Sequence, residues 1–327
     1  MIARDVLTLL GVSMELRTDD PRFVEEFAST FGGRDAGSVP RIASFSVTVE
    51  RESDRPLFGR LSANGDGLAD PAAFLAGFSS PTVPLRQVPA PEPGWTALAL
   101  GDSPEPVFLF QGEGCYFRRV ERWRRIVSHF LFLRMLRLRP DALFFHAASV
   151  AIAGRGALLL GPKGAGKSTT ALALAARGHQ FLGDETACYL PATGELVPFR
   201  RPVGIKPGPQ CSAVATALAR LNPHPDEDGL RRIPIEALIP VSPASPAPLA
   251  SVLFLSGFGP RAELSSVRAG REELSAMQPI ATALPGSAAR RVFEMVRLIG
   301  SLACYRLVAA DPDETAKLLE RDLSVTC

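Results

Sequence analysis

Residues 161–169 read GPKGAGKST, which fits the pattern G-x-x-x-x-G-K-[ST] in full. This run constrains the chain more than any other, because it works only between a strand and a helix. The apolar run Ala157–Leu160 precedes it, and the Ala- and Leu-rich stretch Ser168–Arg177 follows, with Gly178 suited to the C′ position. Gly161, Gly164 and Gly166 let the backbone turn so that amide N–H groups converge on an anion. The N-terminus of the following helix adds to that pull. Lys167 places a cation on the β- and γ-phosphates, and Ser168 supplies a hydroxyl to Mg²⁺. Lys163, Ala165 and Thr169 complete the run, with Lys163 adding charge at a variable position. The expectation is a bound nucleoside triphosphate with Mg²⁺. No base-recognition residue is legible, so ATP and GTP stay open at this point.

The surroundings narrow the type of loop. Ala148–Ala153 and Ala157–Leu160 flank Gly154-Arg155-Gly156, the pattern of a β-hairpin that feeds the loop. After the helix, His179–Leu182 reads as a short strand ending at Gly183-Asp184-Glu185. Common NTPases carry a later apolar strand ending in an Asp that helps hold Mg²⁺. Here the obvious late strand, SVLFLSG at 251–257, ends without a carboxylate. Asp184 and Glu185 are then the candidates: one to hold Mg²⁺, the other to accept a proton from an attacking hydroxyl. Neighbouring strand residues face opposite sides, so both reach the site only if the strand has ended at Gly183. Further along, Thr186–Leu190 and Glu195–Pro198 suggest a hairpin, and Ser212–Leu221 a helix followed by an acidic turn at 226–228. Residues 240–248 read as a loop, and Ser251–Leu255 and Leu302–Val308 as strands. Arg271–Met277, Ala288–Ile299 and Glu314–Arg321 read as helices.

Residues 1–140 read as a separate α+β domain without a catalytic signature, and residues 141–327 as the nucleotide domain. In the first, Pro21–Phe31 is a helix capped by Asp20, Ile42–Val49 a strand, and Val107–Phe110 and Cys115–Phe117 two more strands. Arg118–Arg139 reads as one long helix with Arg118, Arg122, Arg125 and His129 on a shared face. That face suits either an acidic partner or plain solvent on a linking helix.

Composition excludes several classes. A formal net charge of +2 over 327 residues gives no electrostatic footprint for nucleic acid. The five cysteines are odd in number and never in a C-x-x-C spacing, which argues against a disulfide framework or structural zinc and for a cytoplasmic protein. The first twenty residues do not read as a signal peptide, and no stretch approaches an uncharged membrane span. Oligomeric state is not legible.

Taken together, His146-Ala147, the hairpin, GPKGAGKST, Arg177-Gly178-His179 and Gly183-Asp184-Glu185 resemble the catalytic domain of the HPr kinase/phosphorylase family. The order and spacing agree over about residues 145–190. The stretch PFRRPVGIKP at 198–207 resembles a segment of HPr-kinase-related kinases, some of which phosphorylate the C-terminal serine of lasso-peptide precursors. The resemblance implies an α/β fold: a P-loop domain with a mixed β-sheet, like that of phosphoenolpyruvate carboxykinase, after a smaller α+β domain. It implies an ATP- and Mg²⁺-dependent kinase acting on a serine of a peptide or small protein. A small-metabolite kinase and a nucleotide-binding regulatory protein are the alternatives. It also implies His146 beside Asp184 and the γ-phosphate, and Arg201, Lys206 and Arg261 as site cations. Phe199, Arg200 and Pro202 stand where the family carries a metal-binding Glu and a Gly-rich signature. That departure argues against phosphorolysis and against HPr itself as the acceptor.

Overall fold

The computed structural model describes residues 2–32, 42–52, 57–63, 70–78, 84–119, 121–226, 229–268, 270, 273, 279–282 and 288–324. The chain divides into two compact α/β units, Met1–Arg139 and Pro140–Cys327.

The first unit is built on strands β1 (Ala3–Leu9), β2 (Val12–Thr18), β3 (Ala43–Arg51), β4 (Phe58–Ala63), β5 (Leu85–Val88), β6 (Thr96–Leu100), β7 (Pro106–Gln111) and β8 (Gly114–Arg118). They form one sheet in the order β1-β2-β3-β4-β8-β7-β6-β5, with β2 and β3 parallel and the other pairs antiparallel. Helix α1 (Pro21–Phe31) makes the crossover between β2 and β3. Asp20 caps it by accepting from the Arg22 amide, and Phe23, Val24, Phe27 and Phe31 are buried. Helices α2 (Pro71–Phe78) and α3 (Trp123–Arg137) complete the unit. The single helix expected over 118–139 is corrected here. Arg118 is the last residue of β8, paired across to Phe58, and Arg122 caps α3 with a left-handed backbone. The two faces follow the spacing, with Arg122 and Arg125 exposed and Trp123, Val127 and Phe130 buried; beyond Phe130 the helix also buries Leu131, Phe132, Leu133, Met135 and Leu136, and its rings stack on Phe31 and Phe74.

The second unit runs through β9 (Leu143–Phe145), β10 (Ala148–Ile152), β11 (Arg155–Leu160), α4 (Lys167–Ala176), β12 (Gln180–Gly183), β13 (Ala187–Leu190), β14 (Glu195–Val197) and β15 (Val203–Ile205). It continues with α5 (Ser212–Leu221), β16 (Arg231–Ile233), α6 (Ile235–Leu238), β17 (Ala247–Phe258), β18 (Glu263–Ser266), β19 (Pro279–Thr282), the helix Ala288–Gly300, β20 (Ala303–Ala309) and the helix Pro312–Ser324. The main sheet has the order β12-β10-β11-β17-β14-β13-β9-β19, with β20 on β17 and β18 on β20. It is mixed. β10 lies antiparallel to β11 and β12, whereas β11 and β20 both lie parallel to β17. The strand that feeds the loop thus has a hairpin partner on one side and a parallel partner on the other.

Strand β17 is longer than the expected Ser251–Leu255. Its start is read as loop from Pro and Ser content, but Ala247 and Pro248 pair with β14, and its far end pairs with β20. One sheet face packs α4 against a core that includes Leu159, Leu253, Leu255 and Leu307; the other face buries Leu158, Leu160, Val252 and Phe254. Thr170 through Ala175 of α4 are buried, which anchors the helix whose first turn carries Lys167 and Ser168. The expected helix at 271–277, apart from residue 273, and residues 227–228 of the acidic turn expected at 226–228 lie outside the described residues. No helix among the described residues is long and apolar enough to cross a membrane.

Candidate phosphate and carboxylate site

The turn between β11 and α4 follows directly from its glycines. A Cβ on Gly161 would lie 2.6 Å from the Leu255 carbonyl oxygen, so only glycine lets the loop leave along the end of β17. Gly164 and Gly166 hold positive φ angles of 90° and 99°, which other residues adopt with strain. Gly166 caps α4, and Lys167, Ser168 and Thr169 open it. Pro162, Lys163 and Gly164 are exposed at the loop crest, while Ala165 is buried beneath it. The Lys167 ammonium donates to the carbonyls of Gly161 and Pro162 at 2.8 and 3.1 Å, so it lies folded over the loop. Burial lowers its pKa, against the pull of Asp184. An anionic ligand would return what burial removes.

β12 ends at Gly183, and the backbone then turns sharply. Thr186 N–H donates to the Asp184 carbonyl at 2.7 Å, and Glu185 sits at φ 57° in the left-handed region. This turn frees the two carboxylates from strand alternation, and the charge of Glu185 reaches Asp184. Gly183 is required by close approach: a Cβ there would lie 2.7 Å from the Phe199 carbonyl oxygen.

Asp184 is only 3 % exposed. Its Oδ1 accepts from Ser168 Oγ at 2.9 Å, while its Oδ2 is buried and has no hydrogen-bond partner among the described residues. Burial, and then the charge of Glu185, push its pKa up to about 6. Glu185 differs. Desolvation works to raise its pKa, but Arg201, Arg232, His146 and Lys206 together hold it below the usual carboxylate range. Arg201 is buried, reaches Glu185 Oε2 at 3.7 Å and donates to Thr186 Oγ1 at 2.9 Å. Two adjacent acids are therefore set apart: one poised near neutrality, the other fixed as an anion.

His146, at the end of β9, makes a 3.1 Å hydrogen bond between Nδ1 and the backbone carbonyl of Glu185. A carbonyl accepts, so Nδ1 carries the proton and Nε2 is left with its lone pair. Desolvation and the Lys167 charge lower its pKa, keeping it neutral. It thus steadies the turn that presents the carboxylates, through the backbone rather than through Asp184 itself. Lys206 is exposed, close enough to act electrostatically on Lys167 and Glu185. Arg261 lies at the exposed tip after β17, and among the described residues no hydrogen bond or ion pair ties it to Asp184 or Glu185. His179, set apart from the site by its position behind α4, pairs with Glu320 alongside Arg177.

One participant was not legible in the sequence. Arg232 on β16 lies within reach of Glu185 because β16 pairs with β15, and Gly204 between them leaves room: a Cβ there would sit 3.6 Å from Glu185 Oε1 and 4.0 Å from the Arg232 guanidinium. No local pattern marks it; only strand pairing brings it in.

The residues fit Mg²⁺. Among the described residues no cluster of three or more His, Cys, Asp or Glu side chains forms a metal cage. Mg²⁺ does not ask for one, since it takes one or two protein oxygens and completes its shell with phosphates and waters. Ser168 Oγ and the Asp184 carboxylate, with one oxygen buried and unpartnered, supply such a donor pair.

No protein-family profile matches the chain, and no curated protein matches it. Among solved structures, it is similar to the HPr(Ser) kinase/phosphatase from Coxiella burnetii at 13 % identity and a TM-score of 0.24, over 55 % of this chain and 93 % of that one.

Proposed function

We propose that the chain is an ATP- and Mg²⁺-dependent kinase that transfers the γ-phosphoryl group to a hydroxyl, with a serine of a peptide or small protein as acceptor. The observation that carries this reading is the Ser168–Asp184 contact at the mouth of GPKGAGKST, with a buried Asp184 oxygen that has no hydrogen-bond partner among the described residues. The expected domain type, a P-loop domain of the HPr kinase and phosphoenolpyruvate carboxykinase kind, belongs to the same proposal.

In this mechanism the loop amides and Lys167 hold the β- and γ-phosphates, and the ammonium leaves the Gly161 and Pro162 carbonyls to do so. Ser168 and Asp184 would hold Mg²⁺, which when bound supplies positive charge against the phosphate oxygens. The acceptor hydroxyl oxygen bonds to the γ-phosphorus as the bond to the β–γ bridging oxygen breaks, and ADP leaves with that electron pair. Asp184 serves either as that Mg²⁺ ligand or as the base that takes the hydroxyl proton, since a bound cation would hold the carboxylate ionised, and Glu185, itself held ionised by Arg201, assists. Arg201 and Lys206 balance the negative charge that gathers in the transition state. Residues 1–139 form a compact unit of their own, and the proposal gives that unit the choice of acceptor.

The test is transfer of label from [γ-³²P]ATP to serine-bearing peptides in the presence of Mg²⁺. Asp184→Asn is expected to bind nucleotide and transfer nothing. Transfer at the wild-type rate by that variant would refute the assignment.

A further inference from the structure

The end of β17 carries an aromatic side chain that neither the hydrophobic core nor the phosphate chemistry explains. Phe258 is 61 % exposed, a large apolar surface to leave in water. It is aimed by an irregularity in the strand. Leu255 pairs with Leu307 of β20, but the next pairs are Gly257 with Val308 and Phe258 with Ala309, so Ser256 is an extra residue, a β-bulge. Without the bulge, alternation would turn Gly257 to the side of Leu255, the face that packs α4, and Phe258 to the other. With it, Phe258 falls in step with Ala309 on the α4 side. The result is a close meeting: the ring tip comes to 3.0 Å from where a Cβ on Gly166 would be, with Ala309 Cβ at 3.9 Å. Gly166 is the residue that caps α4 at the phosphate loop.

The neighbouring backbone is tied down. Gly259 N–H donates to the Ala309 carbonyl at 2.8 Å, and Ala262 N–H donates to Glu314 Oε1 at 3.2 Å. Strands β11, β17 and β20 run parallel, so the phosphate loop and Phe258 emerge at the same end of the sheet. That is where ligands bind on such sheets.

We propose that Phe258 is the platform on which the base of the bound nucleotide stacks. The proposal rests on the phosphate-cradle reading above: a triphosphate seated on the loop amides places its ribose and base a few ångströms from the cradle, and this exposed ring is fixed beside it. Every base offers a π-face, so stacking of this kind is tolerant of base identity. ATP and GTP are then bound through Phe258 alike.

The experiment compares ligands with and without a base. Binding of Mg²⁺-ATP, Mg²⁺-GTP and Mg²⁺-tripolyphosphate is measured by calorimetry for the wild type, Phe258→Ala and Phe258→Tyr. Phe258→Ala should weaken ATP and GTP about ten-fold or more, leave tripolyphosphate within about two-fold, and be rescued by Phe258→Tyr. Equal weakening of all three ligands would mean that Phe258 only supports the loop at Gly166, and would overturn the proposal. Unchanged ATP binding in Phe258→Ala would overturn it as well. If the wild type bound neither ATP nor tripolyphosphate, the phosphate cradle itself would fall, and the platform with it. If it bound tripolyphosphate and Phe258→Ala lost nothing for ATP, only the platform would fall.

Discussion

Replacing Asp184 with Asn should make the ligand-free protein more stable at neutral pH while removing its activity. The pKa of Asp184 rises from 3.8 to about 6 on folding, through burial first and the Glu185 charge second. The folded state therefore holds the proton to higher pH than the unfolded state does. The stability linked to this group is fully present below pH 3.8 and is lost as pH rises through about 6. At about 1.4 kcal/mol per pKa unit, the ionised carboxylate costs the fold roughly 3 kcal/mol above pH 7, and less than about 1 kcal/mol at pH 4. The substituted amide's oxygen would still accept from Ser168, and its nitrogen would take the place of the unpartnered Oδ2. Any penalty for that buried amide is independent of pH and cancels when the difference between variant and wild type is compared at two pH values. Each kcal/mol moves the Tm of a unit this size by about 2–4 °C. The difference in Tm between Asp184→Asn and wild type should then rise by roughly 5 °C or more between pH 4 and pH 8. Thermal melts in the absence of nucleotide and Mg²⁺ read it directly. A difference that is flat with pH, or that falls, would show that Asp184 is not a strained acid, and would remove the physical basis for its role as base. Mg²⁺-ATP should then stabilise the wild type more than the variant, since only the wild type carries the carboxylate.

Three further outcomes are expected. Lys167→Ala should lose the nucleotide-dependent rise in Tm seen for the wild type, because the ammonium that now bonds the Gly161 and Pro162 carbonyls is the one that meets the phosphates. Gly183→Ala forces a Cβ to within 2.7 Å of the Phe199 carbonyl oxygen; it should cost about 2 kcal/mol and, by displacing Asp184, at least ten-fold in transfer rate, read by melts and ³²P transfer. Arg201→Ala strips the buried cation from Glu185 and Thr186 and should cost about 2 kcal/mol. Arg201 lowers the pKa of both Asp184 and Glu185, so its loss should raise both, seen as a shift of the acid limb of the kcat/KM profile to higher pH.

The glycine spacing of GPKGAGKST, the apolar run before it and the helix-forming run after it were local, and local physics suffices for them. The same holds for the hairpin at Gly154, the Asp20 cap and the end of β12 at Gly183, since turns and caps depend on a few neighbouring residues. The single helix read over 118–139 starts late for the opposite reason, although its exposed basic face at Arg122 and Arg125 holds. Charge spacing reports one helix face, whereas the packing of Phe130 and Phe132 against rings distant in sequence decided where the helix began and what it buried.

GPKGAGKST, read by itself, determined that a glycine-rich loop joins a strand to a helix, because backbone conformation there is dictated by glycine and by helix initiation. It also placed two carboxylates at the next strand end. Only the tertiary structure decided what those carboxylates are. Asp184 is buried against Ser168 and Glu185 is held by Arg201 and Arg232 because β12, β15 and β16 converge there. The bulge at Ser256 that turns Phe258 toward Gly166 is equally invisible in the sequence, since it exists only in the pairing of β17 with β20. Desolvation and charge proximity depend on distance in space, and no local pattern encodes them.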